Sequence, residues 1–345
     1  MNPRFILSKS KVLDQYNKLK EFGLEISYSY KTNHEVGDVL QEFVEDCEFS
    51  VHAFEEIEMI KDKSKISFFT QAETEEELKI ILGKGIINFV VDNEIDLRKL
   101  LKVVEVLKIK INLSLRMKFQ EHRIGTGKYF VYGMPALKVN ELIKEISENE
   151  FIDKFGVHIH RKSQNTSEWG IIEELEDSLD EEVLGRIDFV NLGGGLPANY
   201  RSYTGKADNY IFDKIKEAVG WLFEKKIETI IEPGRFIAAP AVKLETEIIQ
   251  IQDQNIVINT TIYNCALDNV LTGTKMLVED ELSEEEEGDY FLIKGNSPTR
   301  DDIFRYKVKL KDPKVGDKIV FLNAGAYNYT TDFFGYKKIE TEVVD

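Results

Sequence analysis

The chain has 345 residues, 42% hydrophobic and 31% charged, which is enough apolar material for one large core and a smaller second one. Its formal charge of -17, with no basic run to neutralise phosphates, excludes nucleic acid as the expected partner. Two cysteines, Cys47 and Cys265, cannot make a disulfide framework, no secretory core precedes the first helical pattern, and no apolar run nears the roughly 18 residues of a membrane span; a cytoplasmic protein without membrane contact is expected.

Taken in order, Arg4-Phe-Ile-Leu7 is a short apolar run before a polar helix over 9–21, and residues 1–9 could pair with a sheet elsewhere. Short apolar runs then alternate with helical stretches. Strands are expected at 25–31, 47–51, 66–70, 87–91, 110–116, 155–160, 187–193 and 227–232. Amphipathic stretches such as 73–82 and 139–146 lie between them. Eight such units in about 230 residues match a (β/α)₈ TIM-like barrel over 10–240, whose chemistry would sit at the carboxyl ends of the strands. A doubly wound open sheet competes, because counting does not close a barrel. After Pro240 the texture changes to period-two alternation at 242–252, 255–263, 290–293, 305–310 and 317–322, which predicts an all-β second domain over 241–345. The acidic run 279–289 reads as an exposed loop between strands.

Several strand ends carry chemistry. Lys31 closes Glu25-Ile-Ser-Tyr-Ser-Tyr-Lys31, where Ile26, Tyr28 and Tyr30 predict a mostly buried strand. Burying an ammonium lowers its pKa and frees the neutral amine for a Schiff base; the alternative is a lysine that snorkels from a strand end. His158-Ile-His160 closes the sixth strand, followed by Ser163. Asn191-Leu-Gly193-Gly194-Gly195 closes the seventh and Glu232-Pro-Gly234-Arg235 the eighth. Successive glycines let backbone amides approach a phosphate, or simply make a tight turn. Glu232 could pair with Arg235, or could face a pyridinium nitrogen, as an aldehyde cofactor acting as an electron sink requires.

These residues resemble the fold type III pyridoxal-phosphate enzymes, in the ornithine/diaminopimelate/arginine decarboxylase group. Tyr28-Ser-Tyr-Lys31-Thr-Asn33, Gly156-Val-His-Ile-His160-Arg-Lys-Ser163, Asn191 to Gly195, Glu232-Pro-Gly-Arg235, Gly325-Ala-Tyr327 and Asp332-Phe-Phe-Gly-Tyr336 are similar to that group's motifs and come in its order. The resemblance implies a pyridoxal 5'-phosphate cofactor held as an internal aldimine by Lys31, with His160 stacked on the ring and Glu232 on its nitrogen. It implies a phosphate cradle of Ser163, Gly193, Gly194, Gly195, Gly234, Arg235 and the Tyr327 hydroxyl, with Arg116 near the phenolic oxygen. Glu56 matches a helix-borne carboxylate near the lysine, although on sequence it could equally be solvated helix surface. No metal is implied.

Two departures stand out. Where the family carries a Cys-Asp pair, offered across a dimer interface with the cysteine as proton donor, this chain has Pro298-Thr-Arg300-Asp301-Asp302. An arginine is a poor general acid, so although Arg300 stands at a catalytic position, either another group, such as Lys31, returns the proton, or Arg300 has become a binding residue, or it merely pairs with Asp301 or Asp302. The stretch 263–272, where substrates are distinguished, follows neither branch: Asp268 could receive a cation, Arg300 could receive an anion, and Cys265 reads as a buried small residue. Ser50 stands where an aspartate is common. His122-Arg-Ile-Gly-Thr-Gly127 with Tyr132-Gly133 echoes the diaminopimelate branch, while the Glu-Pro-Gly-Arg and Gly-Ala-Tyr motifs look more like the ornithine/arginine one.

The resulting expectation is a homodimeric decarboxylase of a basic amino acid (ornithine, lysine or arginine) in polyamine metabolism, with active sites shared between subunits and Asp268, Arg300, Asp301 and Tyr327 contacting substrate. A diaminopimelate or carboxylated-polyamine decarboxylase, a non-catalytic regulator of a decarboxylase, and a racemase are the alternatives. The last is disfavoured by Glu232, since racemases of this fold type put an arginine opposite the ring nitrogen.

Overall fold

The computed structural model describes residues 2–118, 132–328 and 330–345. Strand β1 (Arg4–Ser8) leads into a helix over Lys9–Lys20, and eight parallel strands follow. They are β2 (Glu25–Ser29), β3 (Glu48–Val51), β4 (Ile66–Thr70), β5 (Asn88–Val91), β6 (Ile111–Arg116), β7 (Ile152–His158), β8 (Phe189–Asn191) and β9 (Glu228–Ile231). β2 pairs with β3 on one side and with β9 on the other, so the sheet closes into a barrel and the open-sheet alternative is excluded. The apolar residues of these strands are buried, with Ile26, Phe49, Phe68, Phe89 and Leu113 each at most 1% exposed.

Three of the helices between strands start where a local side chain satisfies a free amide of the first turn. Thr74 and Glu77 form a reciprocal capping box for Glu75–Gly83, and Asn93 caps Glu94–Leu107. The same device acts beside the lysine: β2 stops at Ser29, Tyr30–Thr32 makes one 3₁₀ turn, and Asn33 accepts from the Val36 amide to start the helix His34–Phe43. Lys31 therefore sits in the turn two residues beyond the strand, rather than at its last residue.

The second unit is a mixed sheet. β10 (Val242–Gln252), β11 (Asn255–Ile258), β12 (Leu277–Val278), β13 (Asp289–Lys294), β14 (Ile303–Leu310) and β15 (Lys318–Leu322) run in the order β12-β15-β10-β11-β13-β14. β1 joins it by pairing antiparallel to β10 and parallel to β16 (Glu340–Val344). The strand expected over 255–263 ends at Ile258. Thr261 caps a helical turn over Ile262–Cys265, whose first amide donates to Asp302 at 2.9 Å, and a second short helix, Leu267–Thr272, follows. Local capping thus overrides the β-branched run. The acidic run is largely exposed between β12 and β13. Among the described residues no helix is long and apolar enough to cross a membrane.

Candidate active site

In the barrel the carboxyl ends of β2 to β9 share one mouth. A cavity of about 420 Å³ there is lined by Lys31, His52, Asp92, Arg116, Tyr132 and His160, among others. The Lys31 side chain reaches solvent through this opening, yet the walls around it desolvate the ammonium and lower its pKa; Arg116 adds to the effect, while Glu232 and Glu56 oppose it. A lysine held this way is easier to deprotonate, which suits bond formation to an aldehyde.

Glu232, directly after β9, is 4% exposed. His158 Nε2 lies 3.1 Å from one of its oxygens and Asn191 Nδ2 donates to the other at 2.8 Å. Burial alone would raise this carboxyl's pKa; His158 outweighs it and holds Glu232 ionised, below the ordinary carboxylate range. His160 lies beyond, its ring 6.3 Å from that of His158 and nearly parallel to it. Although His160 still meets solvent, the enclosing protein, and then His158 and Arg116, push its imidazole down to about 3, so it is neutral at physiological pH. His158, His160 and Glu232 bring potential metal-ligating atoms within 4.8 Å of one another, but both Glu232 oxygens already have partners on the protein.

The ends of β8 and β9 supply the glycine turns. Gly193 and Gly195 have φ of +64° and +116°, and a Cβ at Gly193 would collide with the Ile159 carbonyl oxygen. A Cβ at Gly234 would meet the Thr32 hydroxyl. Arg235 is buried behind these turns and donates to Ser163 Oγ at 3.0 Å and to the Tyr200 hydroxyl at 2.9 Å. Its guanidinium lies 5.2 Å from the centre of the Tyr327 ring. Tyr327 follows β15 with φ +56°, a conformation rarely adopted by a residue with a side chain, and is tied back by Thr32: its amide donates to the Thr32 carbonyl at 3.1 Å and its hydroxyl accepts from Thr32 Oγ1 at 3.3 Å.

The structure thus brings Lys31, Arg116, His160, Ser163, Gly193, Gly194, Gly195, Glu232, Gly234, Arg235 and Tyr327 to one mouth and its rim. It does not bring every candidate there in the expected form. Asp268, expected to receive a cationic substrate, is 2% exposed and makes a two-point contact with Arg235 at 2.6 and 2.9 Å. The partner of Arg235 is therefore Asp268 and not Glu232, and Asp268 has no free oxygen directed at a ligand. The Arg300 and Asp301 side chains are 96% and 83% exposed, 4.0 Å apart, and absent from the cavity of their own chain. Asp302 is buried and takes the amides of Ile262 and Ser297, so it is a framework residue.

Glu56 is buried and not solvated helix surface: it accepts from the His52 amide at 3.0 Å and lies 3.2 Å from His34 Nε2. Ser50 is buried and shares a hydrogen bond with Ser27 at 2.8 Å. Cys265 is fully buried, its thiol pushed up to about 12 by burial. The His122–Gly127 motif lies outside the described residues; of the pair that follows it, Gly133 donates its amide to Asp92 at 2.6 Å.

Four residues of the site were not singled out from the sequence. His158 and Asn191 stand within quoted motifs, and the period of two in His158-Ile-His160 is a signal that both imidazoles share one face. His52 and Asp92 lie beyond β3 and β5 in stretches without a motif, and only barrel closure brings them to the cavity.

A mouth with an amine of lowered pKa, an ionised buried carboxylate, a neutral imidazole and glycine turns backed by an arginine fits pyridoxal phosphate. Each ionic part of that cofactor finds a counterpart in the donor set. Comparison with known proteins agrees. Residues 10–239 match the family model described as pyridoxal-dependent decarboxylase, pyridoxal binding domain. The diaminopimelate decarboxylases of Methanothermobacter thermautotrophicus and Methanocaldococcus jannaschii are 24% and 25% identical; the matches cover 78% and 94% of this chain and 66% and 82% of theirs. The lysine/ornithine decarboxylase of Vibrio vulnificus, solved with cadaverine, superposes with a TM-score of 0.81 over 100% of this chain and 95% of that one, at 20% identity. The chain belongs to the pyridoxal-dependent decarboxylases.

Proposed function

We propose that this enzyme removes the α-carboxylate of a basic amino acid, giving an amine and carbon dioxide. The observation that carries the reading is the shared barrel mouth of Lys31 and the buried, ionised Glu232. When bound, pyridoxal phosphate supplies an aldehyde that condenses with amines and a pyridinium ring that draws electrons from the bond to the departing carboxylate. Lys31 would anchor the cofactor. Glu232, held by His158 and Asn191, would stand opposite the ring nitrogen. His160 would lie against the ring as a neutral imidazole. The amides of Gly193 to Gly195 with Ser163, Gly234, Arg235 and Tyr327 would hold the phosphate, with Arg235 fixed in place by Asp268.

Among the described residues that line the cavity Asp92 is the carboxylate; its Oδ1 takes the Gly133 amide and faces Arg116, and its other oxygen favours a substrate whose far end is cationic. Ornithine, lysine or arginine fit this reading, with the product entering polyamine metabolism. A second reading, decarboxylation of diaminopimelate, is favoured by the names of the relatives and by Arg116, which could meet a distal carboxylate beside Asp92. In either case the site is completed in a homodimer: Arg300 and Asp301 stand fully outside their own chain's cavity, as residues offered to a partner subunit would. Incubation with ornithine, lysine, arginine, diaminopimelate and carboxylated polyamines, read by product mass, tests the proposal. Release of carbon dioxide from diaminopimelate alone would replace the first reading by the second, and release from none would refute both.

A further inference from the structure

His52 follows β3 and enters the same cavity as Lys31, yet none of the roles above uses it. Its backbone amide is tied to Glu56 at 3.0 Å, and its ring stacks on Phe69 with centroids 4.4 Å apart and planes within 16°. The ring is thereby fixed in one plane. Its Nδ1 is sealed from solvent and has no hydrogen-bond partner among the described residues, whereas the residue as a whole is only half-buried. The edge that meets the cavity is accordingly the one bearing Nε2.

That arrangement selects a protonation state. A proton on Nδ1 would be a buried donor with no acceptor, which costs more than leaving a lone pair there. The imidazolium would carry the same orphaned donor. The state that avoids both is the neutral ring with its hydrogen on Nε2. The surroundings agree: burial first, then Lys31, lower the imidazole to about 4, with His158 acting in the same sense and Glu232 and Glu56 only partly opposing. His52 is therefore a fixed neutral donor pointing into the cavity, and not a proton shuttle.

The chemistry of the cofactor says what would accept this hydrogen bond. In pyridoxal phosphate the aldehyde carbon is flanked on one side by the phosphate-bearing arm and on the other by the phenolic oxygen. With the arm directed to the glycine turns after β8 and β9, the oxygen faces the opposite side of Lys31, toward the ends of β3 to β6, where His52 and Arg116 stand. We propose that His52, through Nε2–H, is a hydrogen-bond donor to the phenolic oxygen of the bound cofactor. This rests on Lys31 being the cofactor's anchor. It gives the oxygen a neutral, geometrically locked donor in addition to Arg116, whose charge is shared with Asp92 at 3.7 Å.

Two measurements test it. In cofactor-free protein labelled with ¹⁵N-histidine, with the His52→Gln variant used for assignment, His52 should give the pair of shifts of a neutral Nε2–H ring from pH 6 to 8. An Nδ1–H ring or an imidazolium in that range would overturn the proposal. In the cofactor-loaded protein, His52→Phe keeps the stack on Phe69 but removes the donor. The visible absorption of the cofactor should then change with pH at a higher value than in the unmodified protein, and the Kd for pyridoxal phosphate should rise about tenfold, with His52→Gln in between. Unchanged spectra and Kd in both variants would overturn the His52 assignment alone. Failure of the unmodified protein to take up the cofactor on Lys31, read by mass after borohydride reduction, would instead overturn the functional reading and this proposal with it.

Discussion

Arg235 and Asp268 meet in a buried two-point contact, at 2.6 and 2.9 Å, across the seam between the barrel and the mixed sheet. The arginine follows β9 and the aspartate lies in the short helix Leu267–Thr272. The arginine proposed to back the phosphate is therefore also an interdomain clasp. Asp268→Ala leaves an uncompensated buried guanidinium and should cost about 3–5 kcal/mol of stability, seen as a lower midpoint in denaturant. An unchanged midpoint would mean that the clasp does not operate in solution.

Lys31→Ala should abolish covalent retention of the cofactor. Unmodified protein incubated with pyridoxal phosphate and reduced with borohydride should gain one pyridoxyl group on the peptide containing Lys31, and the variant none. A modified peptide from elsewhere in the chain would move the anchor.

Glu232→Gln removes the charge proposed to oppose the ring nitrogen while leaving a similar shape. We expect kcat to fall by about 10²–10³-fold, the range typical of losing a preorganised electrostatic contact, with a much smaller change in KM. His158→Phe should act in the same direction and raise the pH below which activity is lost, because Glu232 would lose the partner that keeps it ionised.

Acid should destabilise the fold from near neutrality downward. His52 and His160 are depressed from an unperturbed value of about 6.5 to about 4 and about 3, so the unfolded chain binds more protons as the pH falls from 6.5 and stability drops through that window. Glu232 is also depressed, so its contribution is present above its ordinary value and is lost below it, in the same direction. Denaturation midpoints should be level from pH 8 to near 7 and decline from there to pH 4, and a flat profile would contradict neutral His52 and His160.

Arg300→Ala should leave monomer stability within about 0.5 kcal/mol, since its side chain is 96% exposed. If the loop completes a partner subunit's site, activity should nevertheless fall. It should recover in mixtures with Lys31→Ala protein, where one of the two sites is intact. Full activity of Arg300→Ala alone would remove this loop from the reaction.

Much of the barrel was legible in the sequence because its strands are short apolar runs separated by capped helices. Both signals are local. Lys31, His160 and Glu232 could be nominated for the same reason, since each ends such a run. What the sequence by itself determined was the order and spacing of the βα units and the residue types at their ends. The closed fold sets β2 beside β9, which puts the amine and the carboxylate at one mouth, and it sets Asp268 against Arg235. It likewise decided that His52 and Asp92 share the cavity and that Arg300 does not. Such pairings join residues far apart in the chain, and no local propensity encodes them: they follow from which surfaces the closed barrel and the packed second sheet bring within hydrogen-bond reach.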